Sequence, residues 1–203
     1  MKARRTQEER SAETQSRLLD ATIDCLIELG YAHLTTSTVA ERAGVSRGAQ
    51  LHHFPTKEEL VLAAVEHLFE RRNQEFLDTF ARLPPTADRA VAAIDLLWKM
   101  IGSEPFYAWL ELAVAGRTDP TLGRRVRELG SRAAMQVERT FRQVFPPPDV
   151  TNPFFEIAPR FTFALLQGLA LDRLLVTPSR ARANDVLQGM KLLTTFAFPG
   201  GQP

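Results

Sequence analysis

Along almost the whole of this 203-residue chain the apolar residues recur at steps of three and four, and no stretch alternates apolar with polar residues. That spacing gathers them on one side of a helix rather than one face of a strand, so it dictates an all-α fold. The first helix is expected from about 11 to 29, with Leu18, Thr22, Cys25 and Leu29 on one stripe, widened by Leu19, Ile23 and Leu26. Gly30 suits a left-handed C-terminal cap, and Tyr31 to Leu34 form the exit turn. Thr35 or Thr36 can cap a short second helix carrying Val39, Ala40 and Ala43. Gly44 supplies a tight turn, and Ser46 caps a third helix that must stop near Phe54, because Pro55 cannot continue it. Thr56-Lys57-Glu58-Glu59 is a capping box, and it opens a long fourth helix over 57–81.

Pro84-Pro85 breaks the chain, and three amphipathic segments follow: 87–101 with Val91, Ile94, Trp98 and Ile101; 106–114; and 122–145 with Leu122, Val126, Leu129, Ala133, Val137, Phe141 and Val144. Asp119 and Pro120 cap and open the last of these. Pro146-Pro147-Pro148 breaks the chain again. Two final helices, about 153–176 and 179–196, are apolar around more of their circumference than a one-sided surface helix needs. Gly168 and Ala170 leave room for another backbone. The pair is therefore expected to pack against its twin as a four-helix bundle, the alternative being a core pair within one chain. The tail from Pro199 to Pro203 is expected to fray. In all, about nine helices are expected. A three-helix head covers 1–56, the fourth helix connects, and a bundle covers 57–203.

Both signs of charge are balanced, at +1 net, and 44% of residues are hydrophobic. That is an ordinary globule, not a basic protein that coats nucleic acid indiscriminately. DNA binding would need a local basic surface, for which Lys2, Arg4, Arg5, Arg10, Arg42, Arg47 and Lys57 are the candidates. The lone Cys25 excludes an intrachain disulfide and a multi-cysteine metal site, and its place in an apolar stripe makes it a buried, inert thiol. The N-terminus is polar where a secretory signal needs an apolar core. The stretch from Phe161 to Val176 is interrupted by Gln167, Asp172 and Arg173. Neither export nor a membrane span is supported, and a cytoplasmic location is expected.

Thr35 to Lys57 reads TTSTVAERAGVSRGAQLHHFPTK. Small and apolar residues stand where two helices would cross, a glycine stands in the turn, and short residues open the second helix, as a helix-turn-helix requires. With its flanks, this segment resembles the N-terminal domain of the TetR family of transcriptional regulators. The resemblance rests on Leu29-Gly30-Tyr31, Thr35-Thr36, the run from Ala40 through Ser46, Gly48, His53-Phe54, and Lys57. It spans roughly the first seventy residues; beyond them only helix number, length and order agree.

The resemblance implies a homodimer, joined through the last two helices, that places two recognition helices in successive major grooves of a palindromic double-stranded DNA operator. It also implies release when a small molecule binds the body. Thr35, Thr36, Ser46 and Lys57 stand near helix N-termini, where they suit phosphate oxygens. Arg47 reaches a guanine edge or a phosphate, and Gly48 and Ala49 keep the helix opening low in the groove. The chain departs from the family's common leucine-tyrosine pair at Gln50-Leu51. Either Gln50 is buried and Leu51 meets DNA, against a thymine methyl, or a small rotation buries Leu51 and frees Gln50 to read adenine. His52 is a phosphate contact. His52 and His53, as helix neighbours, point apart, so no metal site is expected there and no cofactor is implied.

For the effector, the candidates are Trp98, Phe106, Trp109, Glu111, Met135, Phe161 and Gln167, in the helices that enclose the cavity in similar proteins. Their chemistry favours an aromatic, mostly apolar ligand. A helical-bundle enzyme is the weakest alternative, since no phosphate-cradling loop, Glu-x-x-His pair or identifiable nucleophile dyad is present. A helix-turn-helix activator, or a protein that organises DNA without a ligand, stays open.

Overall fold

The computed structural model describes residues 6–145, 152–176 and 180–197. Among the described residues there are nine α-helices and no strand. They are α1 (Gln7–His33), α2 (Thr36–Ala43), α3 (Arg47–His53), α4 (Lys57–Ala81), α5 (Arg89–Ile101), α6 (Pro105–Thr118), α7 (Pro120–Val144), α8 (Pro153–Leu175) and α9 (Arg180–Ala197). The triple-proline break and the Pro199–Pro203 tail lie outside the described residues.

Local chemistry sets most of the boundaries. Thr56 and Glu59 exchange the two bonds of a capping box at the head of α4, at 3.1 and 3.3 Å. Asp119 Oδ1 accepts from the Thr121 and Leu122 amides at the head of α7, at 2.9 and 3.0 Å. At its start, α1 departs from the expectation of Ser11. Thr6 and Glu9 form a second capping box, at 2.8 and 3.1 Å, that carries the helix back a full turn. Its end departs as well. Gly30 takes a positive φ of 71°, but with ψ at 168° it kinks the helix instead of closing it, and one more turn runs to His33.

The chain packs as two compact units. Of the described residues, those up to Glu70 together with Tyr107–Gly130 build one, and Arg71–Phe106 together with those from Ser131 onward build the other. The first unit's core is one cluster, with Leu18, Leu26, Val39, Leu60, Val65, Leu112 and Leu122 almost wholly sealed. Each such side chain contributes roughly 1.5–3 kcal/mol on leaving water. Cys25 lies in this core, and burial pushes its thiol pKa up. A raised pKa suppresses the thiolate, which is the reactive form.

The second unit holds two clusters. An aromatic one gathers Phe76, Phe80, Phe145 and Phe155, and another joins Ile94 of α5, Leu166 and Leu169 of α8, and Leu187 and Met190 of α9. By length and composition alone α8 could cross a membrane. Its Phe155, Ala158, Leu166, Leu169 and Ala170 are instead core residues of this unit. Ala170 is thus sealed within its own chain, contrary to the expectation that it lets a second backbone approach. Gly168 faces outward, with nothing within 4 Å of where a Cβ would stand.

Candidate nucleic-acid interface

Two short helices joined by a three-residue turn form the site. Thr35 caps α2, its Oγ1 accepting the Thr38 amide at 3.1 Å, and Ser46 caps α3 by accepting the Ala49 amide at 3.2 Å. The turn begins at Gly44 in the left-handed region, φ 61° and ψ 40°, where its amide still bonds back to α2. The Ala43 and Gly44 carbonyls point out of the helix end, and the Arg17 guanidinium of α1 donates to both. Cations suit this place because the end of a helix carries unpaired carbonyls and partial negative charge. Nothing in the apolar spacing of α1 marked Arg17 for this role, and sequence reasoning missed it.

On α3, Ser46, Arg47, Gly48, Leu51 and His52 are exposed, while Ala49 and His53 are half-buried. Gln50 is 0% exposed and Leu51 45% exposed, which separates the two alternatives left open by the sequence. Gln50 Nε2 donates to the Phe54 carbonyl at 2.7 Å, satisfying an oxygen at the end of α3. In this register Gln50 cannot read a base, so its inclusion among the DNA contacts is corrected. The buried amide fills the slot that an apolar residue would otherwise occupy.

The basic candidates divide sharply. Arg42 forms a two-point pair with Glu28 across α1 and α2. That hydrogen bond holds the Glu28 carboxyl below its usual range and raises the Arg42 pKa further. Lys57 donates to the Tyr31 carbonyl at 2.6 Å and lies 4.4 Å from that ring's centre, and burial lowers its pKa. Arg10 is exposed on α1, where its Nε donates to the Thr6 carbonyl at 3.4 Å. Arg47 has no hydrogen-bond or ion-pair partner among the described residues. Lys2, Arg4 and Arg5 lie outside those residues. Thr36 is half-buried at the start of α2.

The seven effector candidates are divided between the two units. Trp109 and Glu111 belong to the first unit, and Trp98, Phe106, Met135, Phe161 and Gln167 to the second. Trp109 packs edge-on to Phe69 at 5.4 Å and lies against Gly130. Glu111 is engaged elsewhere: its Oε2 accepts the Tyr31 amide at 2.9 Å and sits where a Cβ on Gly30 would fall. Trp98 packs against the α5–α8–α9 cluster, with the Arg173 guanidinium 5.8 Å from its ring. The Phe161 ring lies 5.5 Å from Phe154. Met135 and Gln167 are on the surface of the chain. No group of three or more His, Cys, Asp or Glu among the described residues could hold a metal ion.

A capped pair of helices, a left-handed glycine between them and an outward-facing second helix over a closed core define a helix-turn-helix DNA-binding regulator. Residues 18–64 match the family described as bacterial regulatory proteins, tetR family. The HTH-type transcriptional regulator CymR of Pseudomonas putida is 36% identical over 171 residues, which cover 84% of each chain. The chain belongs to the TetR family, and it is a DNA-binding transcriptional regulator, not an enzyme. Among solved structures, a Rhodococcus sp. chain described as a TetR-family transcriptional regulator superposes with a TM-score of 0.70 at 17% identity, covering 92% of this chain and 98% of its own. A Saccharomonospora viridis regulator, in complex with choline, gives a TM-score of 0.65 at 16% identity, over 90% and 96% of the two chains.

Proposed function

We propose that the chain is a homodimeric repressor that holds a palindromic operator through its two α3 helices and lets go when a small molecule binds the body. The observation that carries this reading is the face of α3. Arg47, Gly48, Leu51 and His52 are presented to solvent while Gln50 anchors the opposite side. Arg47, with no partner among the described residues, is a cation available for a guanine edge or phosphate. The Thr36 and Ser46 hydroxyls, His52 and the remaining donors of Lys57 would fix the register on the backbone, with Thr35 holding α2 in place. Gly48 and Ala49 would let the helix sit deep in the groove.

The second unit supports the dimer. On α8, Gly168, Leu171, Leu174 and Leu175 face outward, as do Val186, Gly189 and Leu193 on α9. These positions form one stripe per helix, and two glycines with open space above them allow close approach of a second pair. To engage both half-sites, such a dimer must hold its reading helices about 34 Å apart, one turn of the duplex. A ligand favouring another spacing would weaken both half-sites together.

The test is selection of bound duplexes from a random pool, followed by titration of the enriched sequence at several salt concentrations. Enrichment of one palindrome, with affinity far above that for unrelated duplex, is the expected result. Equal affinity for all duplexes would instead indicate a DNA-organising role. Screening metabolites for stabilisation combined with loss of operator binding tests the effector half of the proposal.

A further inference from the structure

The rotational setting of α3 is specified by its buried side, and this has a consequence for which base it reads. At 3.6 residues per turn, Arg47, Leu51, Gly48 and His52 fall in that order around an arc of about 140°. Leu51 and Gly48 therefore occupy its middle, and Arg47 and His52 its two flanks. Gly48 adds nothing there: the space above it is open to at least 4 Å. Leu51, almost half exposed, is thus the only bulky side chain on the part of the helix that would enter a groove most deeply. Gln50 holds this setting through its burial, because turning the helix to free its amide would also draw the buried Phe54 at the end of α3 out of the core.

A leucine offers neither donor nor acceptor, so it cannot read the hydrogen-bonding edges of a base pair. The one apolar group presented in the major groove is the 5-methyl of thymine. We infer that Leu51 is a specificity-determining residue, which takes a thymine methyl in each half-site over the bare surface left by Gly48. The inference rests on the operator-binding reading above. It assigns the middle of the recognition surface to apolar contact and leaves polar recognition to the flanks.

The test uses the enriched operator from the selection. Each thymine of a half-site is replaced in turn by deoxyuridine, which removes only the methyl group, and the parent is compared with Leu51→Ala and Leu51→Met. For the parent, one position per half-site should lose about fourfold in affinity, the effect of one buried methyl, and about fifteenfold when both half-sites are changed. Leu51→Ala should bind the thymine and deoxyuridine duplexes nearly alike at that position, whereas Leu51→Met should keep most of the discrimination. Its salt dependence should match the parent's, since leucine neutralises no phosphate. Because Leu51 lies on the surface, both variants should melt with the parent, and the methionine variant guards against loss through misfolding. Selection of an operator in which no thymine position couples to Leu51 would overturn the inference alone. Failure to select any operator would overturn the operator reading and this inference with it.

Discussion

Replacing Gly44 by alanine tests how the turn between α2 and α3 is held. Gly44 sits at φ 61°, where an L-residue loses roughly 1–2 kcal/mol. A Cβ there would also stand 2.7 Å from the Arg17 Nη2, so the guanidinium must withdraw from the Ala43 and Gly44 carbonyls. Arg17 is exposed, so those two bonds are taken at the low end, about 0.5 kcal/mol each. The sum is a loss of about 2–3 kcal/mol in unfolding free energy. Urea denaturation would measure it, and a cycle with Arg17→Ala apportions it. In the Arg17→Ala background the same substitution should cost only its backbone share, about 1–2 kcal/mol. Identical costs in both backgrounds would show that Arg17 does not brace the turn. A cost below about 0.5 kcal/mol would refute the backbone argument as well.

Three further outcomes follow from particular contacts. Cys25, sealed in the first unit's core, should react with iodoacetamide far more slowly in the native chain than in urea; equal rates would contradict its burial. Its pKa is raised above 9.0 on folding, so the native state keeps a proton the unfolded state has lost. That share of stability is complete below the unfolded pKa, declines as pH rises from there through the folded pKa, and should vanish in Cys25→Ala. Glu111→Ala removes the acceptor for the Tyr31 amide and should cost about 1 kcal/mol in a urea titration, while Glu111→Gln keeps most of it. Leu175→Glu with Leu193→Glu, on the outward stripes of α8 and α9, should give a monomer by sedimentation and weaken operator binding at least tenfold. An unchanged dimer would remove those stripes from the interface.

How much was legible depended on whether the determining contact was local. The turn at Gly44, the Thr35 and Ser46 caps and the Thr56 box were readable because each is a bond between residues a few positions apart. The same chemistry at Thr6 and Glu9 was present in the sequence, but the apolar stripe begins only at Leu18, and the stripe placed the helix start too late. The choice between Gln50 and Leu51 was not legible. Seven residues make barely two turns, too few for periodicity to fix a rotation, and the residue that fixes it is polar. Arg42 looked like a DNA contact because its partner, Glu28, lies on another helix. The effector candidates were hard to rank for a related reason: an aromatic residue on a helix is equally suited to core and to cavity, and Trp109 and Trp98 each pack against a core cluster of their own unit.

Cations engaged within the head should contribute little to the salt dependence of DNA binding. Arg17 is committed to the Ala43 and Gly44 carbonyls, Arg42 to Glu28, and one bond of Lys57 to Tyr31. Each brace joins the head to itself, so neutralising Arg17 or Arg42 should weaken the operator complex by loosening the fold while leaving the slope of log affinity against log salt nearly intact. Arg47 has no such obligation. If it meets phosphate, Arg47→Ala should make the slope shallower by about 0.9 per half-site, hence about 1.8 for the dimer. If it reads guanine, affinity should fall with little change in slope and with relaxed preference at one base pair. A change of slope for Arg42→Ala as large as that expected for a phosphate-bound Arg47 would mean that the Glu28 pair opens on DNA, and that the head carries its positive charge to the duplex differently from the way its internal bonds imply.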